Sequence, residues 1–301
     1  MMRRKTTLIG IVGDSGAGKS TFVNNLAQLL GKERVTVIGL DDYHSLDRAE
    51  RKAVGITPLN PRANNLGLFM EHVERLRRGE KILKPVYDHD TGTFGEPEWV
   101  KPREFVICEG LHSFLFEKLG ETYGYKIYYD THRDLKIRWK IQRDAAHRGY
   151  TVEQVVQEIR QRQRDIRNFV EPQMRHADLV VSLLPHTVNG QSTEAIKVRL
   201  AERTGANDIV HRLITLHSRG ILPCRCFKEW YWGREMNVVE LTEEITPPVL
   251  EAVADALGWG EKAEEKELTP YQFMLLLVAG RFGNKYKSGY WEERGCYAVN
   301  S

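Results

Sequence analysis

Apolar positions along the chain fall into short continuous runs separated by longer stretches with helical spacing. Residues 7–12, 35–39 and 105–108 are apolar nearly throughout rather than alternating, which predicts strands buried on both faces, and 125–130 reads as a fourth strand. Between them, Phe22, Val23, Leu26, Leu29 and Leu30 recur at helical spacing over 21–30. Leu68, Phe69, His72, Val73 and Leu76 do the same over 66–78, with Gly79 as the stop. Two further helices are predicted over 133–148 and 151–169. Residues 48–65 are basic and broken by Pro58 and Pro61, so they are expected to be irregular. Residues 82–99, with turns at Gly92 and Gly95, predict a hairpin. A further strand is predicted over 177–184. Beyond it, 197–200, 209–217, 227–232 and 236–241 read as β-segments. The stretches 248–257 and 269–282 read as helices, with a charged linker at 261–267. The alternation predicts an α/β fold, with a mostly parallel central sheet flanked by helices, a helical lid and a β-rich C-terminal extension. The expected domains are a core over 1–205, including the lid at 132–170, and the extension over 206–301, packed on the core.

Composition narrows this little. The chain has 301 residues, 41% hydrophobic and 28% charged, which suits an ordinary globular core. A net charge of only +3 gives no general case for nucleic-acid binding. No apolar run approaches the length of a membrane span. The basic start, 1–5, runs into a strand rather than a cleavable leader. Cys108, Cys224, Cys226 and Cys296 form no regular framework, and a reducing cytoplasm is the expected home. Cys224 and Cys226, with one residue between them, are read as poor partners for each other.

The chemistry starts at 13–20, Gly-Asp-Ser-Gly-Ala-Gly-Lys-Ser, which fits the phosphate-loop pattern G-x-x-x-x-G-K-[ST]. A strand precedes it and a helix follows, the setting such a loop requires. Glycines let successive backbone N–H groups converge on anionic oxygens. Gly13, Asp14, Ser15, Gly16, Ala17, Gly18, Lys19, Ser20 and Thr21 are therefore candidate nucleotide contacts. Lys19 would reach the terminal phosphates and Ser20 would hold Mg²⁺. The strand at 35–39 delivers Asp41, Asp42, His44 and Arg48 beside this loop, because strand carboxyl ends face the ligand crevice of open α/β sheets. Asp47 reads equally as a helix cap. Glu109 closes the strand at 105–108, where phosphate-loop enzymes place a metal-associated carboxylate. The helix over 133–148 carries Lys140, Arg143, Asp144 and Arg148, and the next carries Arg160, Arg162, Arg164 and Arg167. These charges form either a solvated face or a cationic flap that closes over phosphoryl groups.

Taken together, GDSGAGKST at Gly13, LDDYHSLDR at Leu40, NPRANN at Asn60, KPVYDHDTG at Lys84, EGLH at Glu109, WKIQRD at Trp139, RGYT at Arg148 and VEPQMRHADLVVSLLP at Val170 resemble the phosphoribulokinase branch of the phosphoribulokinase/uridine kinase family. The similarity runs over about 7–200 and more loosely into the tail. It implies ATP- and Mg²⁺-dependent phosphorylation of D-ribulose 5-phosphate at its C1 hydroxyl, by a cytoplasmic homodimer that binds neither nucleic acid nor membrane. By the same resemblance Asp41 is the general base, with Asp42 the other candidate, and Lys19, Arg143 and Asp144 act with it. His44, Arg48, Arg62, Tyr87, His89, Lys140 and Arg148 bind the substrate, while Ser20 and Glu109 serve the metal. The chain departs from the photosynthetic members, which have cysteines where Ala17 and Gly39 stand here, so no disulfide is expected across the site. The alternatives are a uridine or cytidine kinase, a GTP-driven switch or regulatory ATPase, and a non-catalytic binding module. Asn284-Lys285-Tyr286-Lys287 lacks the aspartate of a guanine reader, and intact Lys19, Asp41 and Glu109 weigh against a non-catalytic module.

Overall fold

The computed structural model describes residues 6–148, 151–188, 191–203, 209–259 and 266–283; the side chains of 143–148 are not among those described. Along the chain the elements are β1 (Thr7–Val12), α1 (Lys19–Leu30), β2 (Val35–Gly39), α2 (Arg48–Ala53), α3 (Leu66–Arg77), β3 (Ile82–Asp88), β4 (Thr93–Val100), β5 (Phe105–Gly110), α4 (Glu117–Thr122) and β6 (Tyr125–Thr131). Then come α5 (Arg133–Arg148), α6 (Val152–Asp165), β7 (Leu179–Val188), β8 (Gln191–Glu202), α7 (Ile209–Ser218), β9 (Arg225–Tyr231), β10 (Arg234–Leu241), α8 (Pro247–Leu257) and α9 (Pro270–Gly280).

Two compact units share the chain. The first comprises Met1–Lys19, Gly31–Tyr129 and Ile137–Ala177; the second comprises Ser20–Leu30, Asp130–Lys136 and Asp178–Ser301. This division interleaves the chain, where the sequence places a single boundary at 205.

In the first unit, β2, β5, β1 and β6 lie side by side, all parallel. Their apolar runs are buried as expected: Leu8, Ile9, Ile11, Val12, Ile38, Val106, Ile107 and Ile127 are all but closed to solvent. Parallel register brings the carboxyl ends of β1, β2 and β5 together, since Ile11 pairs Glu109 and Gly39 pairs the same residue from the other side. The hairpin expected over 82–99 is present as β3 and β4, paired antiparallel.

Residues 48–53 correct the expectation of an irregular stretch, because they form α2. A helix of six residues has no room for apolar periodicity, and its start is fixed by a capping box instead. Asp47 Oδ1 accepts from the Glu50 N–H at 2.8 Å, and the Asp47 N–H donates to Glu50 Oε2 at 2.7 Å.

The second unit holds β7, β8, β10 and β9, all antiparallel. Residues 209–217 are a second correction, being helical (α7) rather than a β-segment. Their β-branched composition points to a strand, but Ile209, Val210, Leu213 and Leu216 are the buried positions, at i, i+1, i+4 and i+7 of one helical face. The extension is therefore mixed, with two strands and three helices among the described residues of 206–301, rather than β-rich. Of these, α9 is buried nearly all round, which explains its lack of a polar face. Most of the linker at 261–267 and the segment 284–287 lie outside the described residues. Among the described residues no helix is long and apolar enough to cross a membrane.

Candidate active site

The phosphate loop leaves β1 and enters α1 at Lys19. Gly16 and Gly18 have φ of 79° and 86°, a region that side-chain-bearing residues avoid, and this curls the loop into an N–H-lined concavity. Gly13 answers a different demand, since a Cβ there would lie 2.1 Å from the carbonyl oxygen of Tyr129. Lys19 is nearly buried, and its ammonium donates to the carbonyl of Asp14 at 3.0 Å across the loop. Ser20 follows directly and is exposed. This cradle of backbone donors, one cation and an exposed hydroxyl fits a nucleoside triphosphate with a hard cation.

At the end of β2 the chain makes a 3₁₀ turn over Leu40–Tyr43. The turn presses on β5, where a Cβ on Gly110 would come within 2.5 Å of Leu40 Cβ. That close approach sets Asp41 and Asp42 near the half-buried Glu109. The two aspartates then diverge. Asp42 is fully engaged: Oδ2 pairs with the buried ammonium of Lys84, and Oδ1 accepts the Tyr87 N–H at 3.0 Å. The side chain of Asp41 is 47% exposed, and the His89 imidazole stands beside it, with Nε2 3.8 Å from Oδ2. Of the two, only Asp41 has a carboxylate available to a substrate.

Around Asp41 stand three histidines. His44 is buried, and its Nδ1 lies 2.8 Å from Asn64 Oδ1. Asn64 Nδ2 donates to the carbonyls of Pro58 and Asn60, both at 3.0 Å, which fixes the amide orientation. Nδ1 of His44 must then be the donor, leaving Nε2 with a lone pair. Burial lowers the His44 pKa; the charge of Asp41 opposes this without reversing it. His112 is fully buried and neither ring nitrogen meets a partner at full hydrogen-bond geometry. Burial brings its pKa down to about 4, against the opposing pull of Asp41 and the Leu59 backbone. Only His89, half-exposed, faces solvent.

Tyr87 forms the wall between them, edge-on to His44 at 4.8 Å and to His89 at 5.2 Å between ring centroids. Its hydroxyl is spent internally, donating to Gly92 O at 3.0 Å and accepting from Arg51 at 2.7 Å. The guanidinium of Arg48 donates to the carbonyls of His89 and Asp90, so it braces the turn that carries His89. Arg62 is exposed, and no acceptor meets its guanidinium among the described residues.

In the lid, Lys140 is buried, with its Cβ 3.6 Å from where a Cβ on Gly16 would lie. Its ammonium pairs with Glu158 at 3.3 Å, and Arg162 pairs with the same carboxylate at 3.1 Å. The first of these ties α5 to α6, and the second, one turn along α6, holds the carboxylate in place. Arg160, Arg164 and Arg167 remain exposed. Asp165 accepts from the Thr57 hydroxyl at 2.6 Å, anchoring the far end of α6. The side chains of Arg143, Asp144 and Arg148 lie outside those described.

A family model described as "Phosphoribulokinase / Uridine kinase family" matches residues 8–189. The chain belongs to the phosphoribulokinase/uridine kinase family. The phosphoribulokinase of Synechocystis sp. is 45% identical over 202 residues, 67% of this chain and 61% of that protein. The uridine kinase of Bacillus pumilus is 32% identical over 184 residues, 60% of this chain and 88% of that protein. Among solved structures, the phosphoribulokinase from Rhodobacter spheroides superposes with a TM-score of 0.58 at 19% identity, over 80% of this chain and 91% of that one, which shows a shared fold. The chain thus spans less than two thirds of the length of its cyanobacterial relative.

Three residues of this family member's site are absent from the sequence-based candidates. Asn64, which orients His44, lies in the Asn60–Asn65 stretch, where two asparagines after Pro61 were the available signal. His112 follows Glu109 by three residues. Arg51 is buried and stacks over Tyr87 at 5.3 Å, and nothing local in the sequence marks it.

Proposed function

We propose that the protein transfers the terminal phosphoryl group of ATP to the C1 hydroxyl of D-ribulose 5-phosphate, giving ribulose 1,5-bisphosphate and ADP. The observation that carries this reading is the half-exposed Asp41 carboxylate at the strand ends beside the phosphate loop, while Asp42 is bound to Lys84 and Tyr87. The likeness to the Synechocystis protein supports the choice of acceptor.

Asp41 would take the hydroxyl proton as the C1 oxygen bonds to phosphorus and the bridge to ADP breaks. Lys19 and the loop N–H groups would hold the phosphates in line. Ser20 and Glu109 would hold Mg²⁺, which neutralises phosphate charge when bound. Neutral His44, with Nε2 free to accept, suits a sugar hydroxyl better than a phosphate. The acceptor's own phosphate would fall to cations: Arg62, and from the lid Arg143 and Arg148, with Asp144 and Lys140 shaping the closed lid. Arg48 and Tyr87 would act by positioning His89.

A uridine or cytidine kinase is the second reading, favoured by the Bacillus pumilus relative. A nucleoside brings no phosphate of its own, so the exposed arginines argue for a phosphorylated acceptor. For assembly we propose a homodimer through β9 and β10, where Trp230 is 71% exposed. A reducing cytoplasm fits the free thiols of Cys108, Cys224 and Cys226. The test is ADP release with ribulose 5-phosphate, uridine or cytidine as sole acceptor. Turnover on ribulose 5-phosphate at least about a hundredfold above the nucleosides is expected. Preference for a nucleoside would overturn the reading.

A further inference from the structure

A second cluster of reactive side chains stands in the second unit and plays no part in the kinase chemistry. His217 lies in the last turn of α7, and the chain returns within a few residues to Cys224, just before β9, and Cys226, its second residue. One ring nitrogen of His217 and the two sulfurs all lie within 4.8 Å of one another. The two cysteines are unbonded, as expected, but the expected reason, opposite faces, is corrected: positions two apart in extended chain share a face, and the sulfurs are 3.7 Å apart.

That separation has a chemical meaning. A disulfide holds its sulfurs at about 2.05 Å. Two thiolates on a tetrahedral zinc, each bonded at about 2.3 Å, stand about 3.8 Å apart. The sulfurs are thus spaced as ligands of a common ion rather than as a bonded pair. The ring of His217 has the second contact common among metal-binding histidines. Its Nδ1 lies 3.2 Å from the carbonyl oxygen of Leu222, and a ring N–H donated to a backbone carbonyl leaves Nε2 with the lone pair. One imidazole and two thiols form a soft donor set, unlike the hard oxygens of the phosphate loop.

We propose that His217, Cys224 and Cys226 bind one Zn²⁺ ion, with the fourth coordination position open to solvent. The ion would tie the end of α7 to the start of β9. Burial and proximity to Cys226 raise Cys224 to about 12, and burial raises Cys226, which favours the thiol form of each in the free protein. Binding therefore displaces two protons, one from each thiol, and forms two Zn–S bonds. The two thiolates balance the charge of the ion, so the site gains no net charge.

The experiment uses the full chain, stripped with a chelator under reducing conditions and titrated with Co²⁺. One equivalent should produce thiolate-to-cobalt charge-transfer absorption together with the visible bands of a tetrahedral ion, and Zn²⁺ should abolish both. Cobalt at the phosphate loop has only oxygen ligands and gives no thiolate band, so the two sites are distinguished. Cys224→Ser and Cys226→Ser should each lose most of the band, and Cys108→Ser should keep it. His217→Gln, at an exposed position that the fold tolerates, should weaken Zn²⁺ binding by about tenfold or more against a competing chelator. Absence of a thiolate band at stoichiometric cobalt would overturn the proposal. So would a band that survives both cysteine variants, or zinc affinity unchanged in His217→Gln.

Discussion

Asp41→Asn and Asp42→Asn should fail in opposite ways, although the substitutions are adjacent and chemically the same. Asp42 accepts from Lys84, whose side chain is 8% exposed, and from the Tyr87 N–H. Removing one partner of a buried ion pair costs about 3–5 kcal/mol. Glu98 remains 3.1 Å from the Lys84 ammonium, and asparagine can still accept from Tyr87, so about 2–3 kcal/mol is expected here. For a chain of this size that lowers the melting temperature by about 3–5 °C. Asp41 is half-exposed and makes no close ion pair with a Lys or Arg among the described side chains, so its loss should leave stability within about 0.5 kcal/mol. Its turnover should instead fall by about 10²- to 10⁴-fold, or about 3–5 kcal/mol in the barrier, as for loss of a general base. The assay pairs ADP-coupled kinetics on ribulose 5-phosphate with thermal melting of the same preparations. Near-normal turnover in Asp41→Asn, with collapse in an Asp42→Asn protein that melts normally, would show that the base is Asp42 and that the Lys84 pairing was misjudged.

Arg48→Ala should raise KM for ribulose 5-phosphate more than KM for ATP, because the turn bearing His89 loses its brace; Arg48→Lys should restore little, since a point charge cannot span both carbonyls. Equal effects on both substrates would show that the brace serves the fold at large. His112 should make the protein acid-sensitive. Its folded pKa of about 4 lies below the unfolded value of 6.5, so the unfolded chain binds the proton first as pH falls. Its share of stability is intact above about pH 6.5 and is lost towards pH 4, a total of about 3 kcal/mol. His112→Phe should flatten that part of the melting-temperature profile, and an unchanged slope would refute the assignment. Trp232 has a φ of 47° in a two-residue hairpin loop with Gly233 at 80°, the geometry of a type I′ turn that favours Asn-Gly. Trp232→Asn should therefore stabilise by about 1 kcal/mol in denaturant melts, and a loss would mean that the indole earns its position by packing.

The phosphate loop and the parallel strands were legible because buried strands need unbroken apolar runs and the loop needs glycines at fixed offsets. The capping role open to Asp47 was legible for the same kind of reason, being a contact three residues long. What escaped the sequence depended on partners far along the chain. Asp41 and Asp42 look alike until Lys84, 42 residues on, meets one of them. Arg48 reads as a substrate ligand until its two acceptors turn out to be backbone carbonyls, which every residue carries and no pattern marks. In α7, β-branched residues masked a helical face that only burial made plain. Cys224 and Cys226 are unbonded, as expected from the sequence, but on the same side of the chain, because every second residue of extended backbone shares a side.

The two kinds of glycine in the phosphate loop would age differently in a descendant that gave up its nucleotide. Gly16 and Gly18 are required by the curl of the loop, and with no phosphate to cradle, that curl could relax and other residues could settle there. Gly13 faces the Tyr129 carbonyl in the neighbouring strand, so it would be retained for as long as the sheet persisted. A relict of this protein would keep the first letter of the motif and lose the rest, and a search that weights all its letters equally would overlook it.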